Sequence, residues 1–393
     1  MRTPLAWKNL TSSWSKCALA ATGVGFAVVL MFMQLGFSKA LIENNVQVMS
    51  LFDTDVANLA VVSRARYNLS TEQRFSRRIF EDAASWPGIE ASCTLSMERG
   101  ASKVQVAGSA AKPIRVVAIQ LGEPDFLKDD ELYEKLMEAD SIDSAIVDDR
   151  SKGFYNFGRL PEQLREQWIE LNDSVVPVQD TFLLGTDFGN DGTLLMSERV
   201  HAKYFPYRNP FGQARDLVDI GFLKSSTNDP QELEILAAKI ESTAPQSIRV
   251  WPTKKLVKKE KDFWSKQTPV GNIFTIGLIM GLVVGAIICY QIQFTDITDH
   301  MPEFATLKAM GYSAWYFWSL ILWQSLYLAC LGFVPGILVA RVLYMALSSL
   351  SGLTMEMDAW QIGQVWLLTL GMCIVSGAIA IRKLFNADPA SLF

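Results

Sequence analysis

Histidine is almost absent from this 393-residue chain, which contains only His201 and His300. The two residues are far apart in the sequence, and the apolar segments described below place them on opposite sides of a membrane. A histidine-rich metal site is therefore excluded, and catalysis by a Ser–His or Cys–His pair is disfavoured. The sequence also lacks the G-x-x-x-x-G-K-[ST] pattern that cradles nucleotide phosphates. We therefore predict no catalytic residues, no metal and no cofactor bound by this chain.

Cysteine is also sparse, with five residues in the chain. Four of them lie in apolar segments, and Cys93 is the only one in the long polar region between the first two segments. A single cysteine cannot form an internal disulfide, so this region must be stabilised by its own hydrophobic core. If Cys93 is exposed, its reaction with a membrane-impermeant thiol reagent should report which side of the membrane the region faces.

Four long segments contain no acidic residue at all: 17–38, 268–293, 312–340 and 362–381. Each is long enough to cross about 30 Å of hydrocarbon, so we predict four transmembrane helices. A proton- or ion-coupled carrier usually needs an ionisable residue in its spans, so the energy for any transport must come from elsewhere. The net charge is −5 and no basic face is clustered, which argues against a nucleic-acid partner.

The predicted fold class is an α-helical membrane protein with a large mixed α+β extracytoplasmic domain between its first and second transmembrane helices. Basic residues near both termini place the termini in the cytoplasm and the large domain in the periplasm. The lysines of 254–266 and the acidic character of 296–313 point the other way, so loop charge alone leaves the orientation open. The remaining predicted parts are a cytoplasmic amphipathic helix (1–16), the periplasmic domain (39–267), a cytoplasmic loop (294–311), a short periplasmic loop (341–361) and a cytoplasmic tail (382–393).

Alternating apolar patterns predict that the large domain has two α+β lobes, with helical stalks at both ends that pack against each other. Ser70–Trp86 begins with an N-cap serine and is followed by Pro-Gly, which predicts a helix. The loop 185–193 clusters acidic and amide side chains near glycines, which favours a turn, with a calcium site as the alternative. The lysine run at 254–266 is interpreted as a solvated face, with binding to anionic lipid or an acidic partner as the alternative.

The loop between the second and third spans contains start and stop signals for a short helix. Asp299 is the predicted N-cap, Pro302 lies in the first turn, and Gly311 closes the helix in a left-handed conformation. Glu303 and Lys308 lie at the ends of the helix dipole that favour their charges. The predicted apolar side consists of Met301, Phe304 and Leu307.

Glycines recur at intervals of four residues in two of the predicted spans. With no side chain at these positions, another helix can approach closely, so we predict helix packing there. The partner is either another helix of this chain or the same helix of a second copy. The glycines are Gly277, Gly281 and Gly285 in the second span and Gly332 and Gly336 in the third.

The order of these parts resembles the MacB/FtsX-type ABC transporter permeases, which have one span, a periplasmic domain and then three spans. Glu303–Gly311 resembles the cytoplasmic segment after that family's second helix, although His300–Pro302 stands where relatives often have an arginine. Leu5–Thr11 is similar to the family's N-terminal amphipathic helix, Leu194–Pro206 to an element of its periplasmic domain, and Asn386–Pro389 to its C-terminal ending. The DevC-type permeases of cyanobacterial glycolipid exporters are the most similar subgroup.

This resemblance implies a homodimeric, non-catalytic subunit of an inner-membrane exporter, driven by separate ATPase subunits that bind ATP-Mg. Movement would be transmitted through the second span and the periplasmic domain (mechanotransmission) to a membrane-fusion adaptor and a TolC-like outer-membrane channel. The substrate would be lipid-like or hydrophobic. The residues that couple the chain to the ATPase would be Asp299, Glu303, Phe304, Leu307, Lys308 and Gly311.

Two alternatives stay open. The chain could be an FtsX-like regulator that transmits the ATPase state to a periplasmic partner without moving a substrate. For the loop itself, Phe304 and Leu307 could simply anchor it in the membrane interface. A membrane-bound sensor is disfavoured, because the predicted cytoplasmic parts include no output domain.

Overall fold

The computed structural model describes residues 14–100, 102–106, 110–155, 157, 168–187, 189–209 and 211–386. The predicted helix at 1–16 and the C-terminal motif at 386–389 lie almost entirely outside these residues. The helices are α1 (Trp14–Asn44), α2 (Arg78–Glu81), α3 (Asp130–Ser141), α4 (Glu198–Tyr204), α5 (Pro230–Thr243), α6 (Thr253–Lys266), α7 (Pro269–Asp299), α8 (Met301–Ala309), α9 (Ala314–Ser351) and α10 (Ala359–Asn386).

Among the described residues, α1, α7, α9 and α10 are long and apolar enough to cross a membrane. A large domain with a mixed sheet lies between α1 and α7 in the sequence, which confirms the predicted fold class. The helices continue past the charged residues taken as span ends, so α7 runs to Asp299 and α9 to Ser351. A charged residue ends an apolar run in the sequence but does not end a helix. The helix α9 ends instead at Gly352, which follows its last residue and has a φ of +72°.

Eleven strands of the large domain form one sheet, with the order β13-β1-β12-β3-β6-β10-β7-β9-β8-β4-β5. Residues 40–268 and 347–354 belong to one compact unit, called the sheet unit below. The prediction of two lobes is therefore wrong, because pairing of β3 with β6 continues the sheet through the domain. The strands are β1 (Leu59–Ser63), β2 (Phe75–Ser76), β3 (Ile89–Glu98), β4 (Lys103–Val106), β5 (Lys112–Pro113), β6 (Arg115–Ile119), β7 (Ala145–Asp148), β8 (Trp168–Leu171), β9 (Ser174–Phe182), β10 (Thr193–Ser197), β11 (Leu217–Val218), β12 (Ile220–Ser225) and β13 (Ile248–Pro252).

The first four strands of the sheet, in the order β13-β1-β12-β3, have the arrangement of a β-α-β-β-α-β unit. β1 is antiparallel to both β13 and β12, and β12 is antiparallel to β3. Helix α5 connects β12 to β13, and its Leu233, Ala237 and Ile240 pack in one core with residues of both β1 and β13. The predicted cap of α5 is present, since the Asp229 carboxylate accepts the N–H groups of Gln231 and Glu232.

The helix predicted at Ser70–Trp86 does not form. Residues 75–76 form β2, which pairs with β11, and only the four residues of α2 follow as α-helix before a short 3-10 turn. Phe75 and Phe80 are both buried in the core beneath β1. The Phe80 ring occupies the space above Gly221, where a Cβ atom would lie 2.2 Å from it. Burial of these two rings outweighs the local helix signals.

The two ends of the large domain, which the sequence predicts as helical stalks, share one core. Val48 and Phe52 lie in the same cluster as Leu256 of α6, with Val257 packed against it. The first end is a 3-10 turn at Gln47–Leu51 rather than a continuation of α1. The core that holds both ends also contains Phe222, whose ring centroid lies 4.2 Å from that of Phe52.

The glycine-rich loop at 185–193 is organised around a buried arginine. Arg115 of β6 is fully buried and forms an ion pair with Asp187. Burial lowers the pKa of Arg115 to about 10, while the charge of Asp187 opposes this shift. The other Asp187 oxygen accepts hydrogen bonds from the Gly189 N–H and the Asn190 amide, both at 2.8 Å. The loop is thus a turn, and the described residues contain no group of His, Cys, Asp and Glu suited to a metal.

Cys93 cannot serve as the topology reporter considered above. It lies in the middle of β3 and is only 3% exposed. Burial also raises the pKa of its thiol, which lowers the fraction of reactive thiolate. An impermeant thiol reagent therefore needs an engineered site.

Candidate functional site: the helix between the second and third apolar spans

The short helix α8 begins immediately after the long helix α7. Asp299 is the last residue of α7, and His300, with φ −98° and ψ 13°, separates the two helices. The prediction of Asp299 as N-cap is therefore wrong, because the cap position is His300 and no side chain caps α8. The His300 carbonyl instead accepts the N–H groups of Glu303 and Phe304, each at 3.1 Å. Pro302 lies in the first turn as predicted, where its missing N–H costs little.

The end of α8 has the predicted glycine stop. Gly311 has φ +89°, the left-handed conformation that favours glycine. Its N–H bonds to the Lys308 carbonyl at 3.0 Å, and the Tyr312 N–H bonds to the Leu307 carbonyl at 3.2 Å. These two bonds form a Schellman motif, which fixes the direction in which the chain leaves α8 for α9.

One face of α8 packs on the apolar helices of the same chain. Met301 and Phe304 are buried, with Leu307 packed at the edge of their cluster. The Phe304 ring makes an edge-on contact with Phe317, with centroids 6.1 Å apart. Phe304 is 2% exposed, so its side chain is occupied within the chain. The other cluster members come from α7, α9 and α10: Ile297, Leu320, Ile321, Ala380 and Ile381.

The opposite face of α8 is open. Glu303, Thr306 and Met310 are all exposed and follow one another at helical spacing, and Met310 is 64% exposed. Lys308 and Gly311 are exposed as well. Met310 was missed in the sequence analysis, although the signal was present: if positions 301, 304 and 305 face inward, positions 303, 306 and 310 must face outward.

Polar contacts hold the end of α7 in place beside α9. The Gln324 side-chain amide donates a hydrogen bond to the Asp296 carboxylate. One turn earlier, Ser325 donates to the Gln293 side-chain oxygen at 3.2 Å. The Gln293 amide in turn donates to the Cys373 carbonyl of α10 at 3.1 Å. These contacts connect the last turns of α7, which carry α8, to both neighbouring helices.

The predicted glycine faces pack within the chain, and α1 is their shared partner. A Cβ atom at Gly285 would lie 2.6 Å from Ala27, and a Cβ atom at Gly332 would lie 2.4 Å from Val24. A Cβ atom at Gly336 would lie 2.7 Å from Val28. A Cβ atom added at Gly277 would lie against Gln34, and one added at Gly281 would lie against Leu30. Close packing is thus present, and of the two partners considered it is the helix of the same chain that occupies these faces.

Comparison with known families gives a match to the C-terminal part of the chain. Residues 275–389 match the family described as FtsX, "FtsX-like permease C-terminal". The matched segment covers most of α7 and all of α8, α9 and α10. No curated relative matches the chain.

Two solved structures are similar to the sheet unit at low identity. The periplasmic region of MacB from Actinobacillus actinomycetemcomitans has 10% identity and a TM-score of 0.34, with 51% of this chain and 91% of that chain covered. The extracellular domain of the noncanonic ABC-type transporter YknZ from Gram-positive bacteria has 8% identity and a TM-score of 0.33, with 49% and 98% covered.

The match to residues 275–389 is independent of those structures and includes the whole of the candidate site. It also covers the three spans on which α8 packs. The comparisons therefore assign an FtsX-like permease domain to residues 275–389.

Proposed function

We propose that the chain is the non-catalytic permease subunit of an ABC exporter and that a separate ATPase binds the open face of α8. The observation that carries this proposal is a short helix with one face buried on three apolar helices and the other face exposed. The family match to this region supports it, because an FtsX-like permease works with an ABC ATPase. ATP-Mg is bound by that ATPase and not by this chain.

The arrangement of α8 suits the transfer of force. Phe304 and Met301 fix the helix to the spans, so a push on Glu303, Thr306 or Met310 would move the helix together with the end of α7. The proposed contact therefore differs from the one suggested by the resemblance. Glu303 stays as the polar contact, and Met310 replaces Phe304 and Leu307 as the apolar anchor. Lys308 follows Phe304 by four residues, so it lies on the side of the buried face and is not part of this contact. Asp299 and Gly311 act through the position of the helix.

The wider assembly is part of the same proposal. The chain lies in the inner membrane with its sheet unit in the periplasm, forms a homodimer, and passes movement to a membrane-fusion adaptor and a TolC-like outer-membrane channel. The substrate is lipid-like or hydrophobic, in agreement with the absence of acidic residues from the predicted spans. Because α1 occupies the glycine faces, the second copy would contact other surfaces, such as the exposed side of α7 that carries Ile276, Met280 and Val283.

An FtsX-like regulator is the second candidate, since it would use the same ATPase contact. Reconstituted vesicles that contain the chain and its ATPase separate the two functions. ATP-dependent release of a lipid-like substrate to an acceptor supports export, and ATP hydrolysis without any release supports regulation.

The ATPase contact is tested by co-purification. Replacement of Glu303 and Met310 by alanine should abolish recovery of the ATPase with the full-length chain. Met345→Ala is a matched control, because Met345 is 60% exposed but lies near the opposite end of α9 from α8. Undiminished recovery of the ATPase with the double variant would contradict the proposed contact.

A further inference from the structure

The sheet unit contains a cleft along α6 that the proposed ATPase contact does not use. Its volume is about 620 Å³, which is within the range of small-molecule sites. The lining comes from α6, from the start of α5, from the end of β13 and from the segment before β1. Asn58 fixes the last of these parts, because its side chain bonds to Ser225, Thr227 and Asn228.

The cleft has one apolar wall and one cationic wall. The apolar wall is formed by Pro230, Leu233, Trp251 and Pro252. The cationic wall belongs to α6, whose opposite face is anchored in the domain through the buried Leu256 and Glu260. This amphipathic placement directs the lysines into the cleft: Lys254, Lys255, Lys258 and Lys259.

The three carboxylates in the lining are already paired with lysines. Asp55 bonds to Lys254 at 2.9 Å and Glu234 to Lys255 at 2.8 Å. Asp262 bonds at 2.7 Å to Lys266, which is not part of the lining. Lys258 and Lys259 are exposed and, among the described residues, form no ion pair. The cleft therefore has two ammonium groups whose charge no carboxylate neutralises by direct contact.

Trp251 connects the two walls. The Lys259 ammonium lies 4.7 Å from the centroid of the Trp251 ring, and the Lys255 ammonium lies 5.8 Å from it. These cation–π contacts hold charged groups at the edge of an apolar surface without neutralising them. A bound molecule could thus place an anionic group on the lysines and an apolar part on Trp251 and Leu233.

We propose that this cleft binds an anionic amphiphile, namely a lipid with a phosphate-bearing headgroup. A free phosphate or a uniformly acidic peptide would leave the apolar wall unused. Gln267 is part of the lining and precedes the first residue of α7 by two positions in the sequence. The proposal deepens the lipid-like substrate of the proposed function and rests on that function for its role in export. The binding itself needs no ATPase, so the two can fail separately.

Calorimetry on the full-length chain in neutral-detergent micelles tests the binding. The probes are dihexanoyl phosphatidylglycerol, which is anionic, and dihexanoyl phosphatidylcholine, which is zwitterionic. We expect saturable binding of the anionic lipid, at least about tenfold weaker binding of the zwitterionic one, and a further loss of affinity as salt screens the lysines. Lys258→Gln/Lys259→Gln should weaken binding of the anionic lipid about tenfold or more. The control is Lys128→Gln/Lys239→Gln, which changes two exposed lysines outside the cleft and should leave the affinity unchanged.

Three results would overturn the proposal. One is equal affinity for the two lipids, and another is equal affinity of the cleft variant and its control. The third is displacement of the anionic lipid by inorganic phosphate or by a polyglutamate peptide at the same concentration, since either result would show recognition of charge alone. Unchanged thermal unfolding of both double variants confirms that they fold.

Discussion

Thr186 donates its backbone N–H to the carbonyl oxygen of Gly352, with an N–O distance of 3.1 Å. The Thr186 hydroxyl also donates to the Ser351 carbonyl at 3.0 Å, and the Arg150 guanidinium donates to the Thr354 hydroxyl at 3.3 Å. Residues 347–354, which are the end of α9 and the three residues after it, therefore belong to the sheet unit. Glycine is needed on both sides of this contact, since Gly185 and Gly352 have φ values of +111° and +72°.

Gly352→Ala should destabilise the chain. Besides the positive φ, a Cβ atom at this position would lie 2.5 Å from the Arg150 carbonyl oxygen. We expect a loss of about 1–3 kcal/mol in the free energy of unfolding, measured as a lower midpoint of thermal unfolding in micelles. Gly363→Ala is the control, because nothing lies within 4 Å of that position and alanine favours a helix. Equal midpoints for the two variants would contradict the structural role of Gly352.

The contact between α9 and α1 gives a second stability prediction. Gly332→Val would place a side chain on Val24, whereas Gly371→Val in α10 would enter open space. We expect the first variant to lose about 1–3 kcal/mol through overpacking and the second to change little. Thermal unfolding of the two variants measures the difference. A loss at Gly371 as large as that at Gly332 would show that the glycine faces are not closed by α1.

Acidification should destabilise the sheet unit partly through His201. Burial, together with the charges of Arg208 and Arg74, holds the pKa of His201 well below its usual range. The unfolded chain binds a proton at this histidine below about pH 6.5 and the folded chain does not, so the free energy of unfolding decreases as the pH falls. Glu98 acts in the opposite direction, because burial raises its pKa to about 6 and its contribution to stability is lost as the pH rises through that value.

The His201→Gln variant isolates the first of these effects. It removes the group that titrates only in the unfolded chain, so its unfolding midpoint should fall less than that of the wild type between about pH 7 and about pH 5. Urea unfolding at several pH values measures this slope. A variant slope as steep as the wild-type slope would assign the acid sensitivity to other groups.

The proposed orientation needs an exposed cysteine in the sheet unit. Phe211 is 99% exposed, whereas Cys93 is buried and Cys330 is exposed. Phe211→Cys in a chain that also carries Cys330→Ser should therefore react with an impermeant thiol reagent, and the chain with Cys330→Ser alone should not. The proposal predicts labelling from the periplasmic side without permeabilisation of the inner membrane. Labelling only after permeabilisation of the inner membrane would contradict the proposed orientation and place the sheet unit in the cytoplasm.

Short sequence patterns predicted those parts of the fold that depend on residues close together in the chain. The apolar runs identified four spanning helices, Asp229 caps α5, and Gly311 ends α8, because each depends on residues close in sequence. The errors arose where distant residues decide the structure. Burial of Phe75 and Phe80 replaced the helix predicted at Ser70–Trp86.

The candidate site shows the same division. Its position and its glycine stop followed from the sequence, but the burial of its apolar side chains within the chain did not. Apolar side chains such as Phe304 appeared suited to a partner, whereas the chain's own helices bury that residue and leave Met310 exposed. The partner of a helix face is a tertiary property, and neither periodicity nor glycine spacing specifies it.

The rate of ATP hydrolysis in membrane vesicles tests the central proposal most directly. With the full-length chain and its ATPase, we predict that Glu303→Ala/Met310→Ala lowers the stimulated rate at least about tenfold, since the double variant removes both a polar contact and the apolar anchor. Met345→Ala should leave the rate at the wild-type value. A double variant that is stably inserted and hydrolyses ATP at the wild-type rate would contradict the proposal that α8 is the ATPase contact.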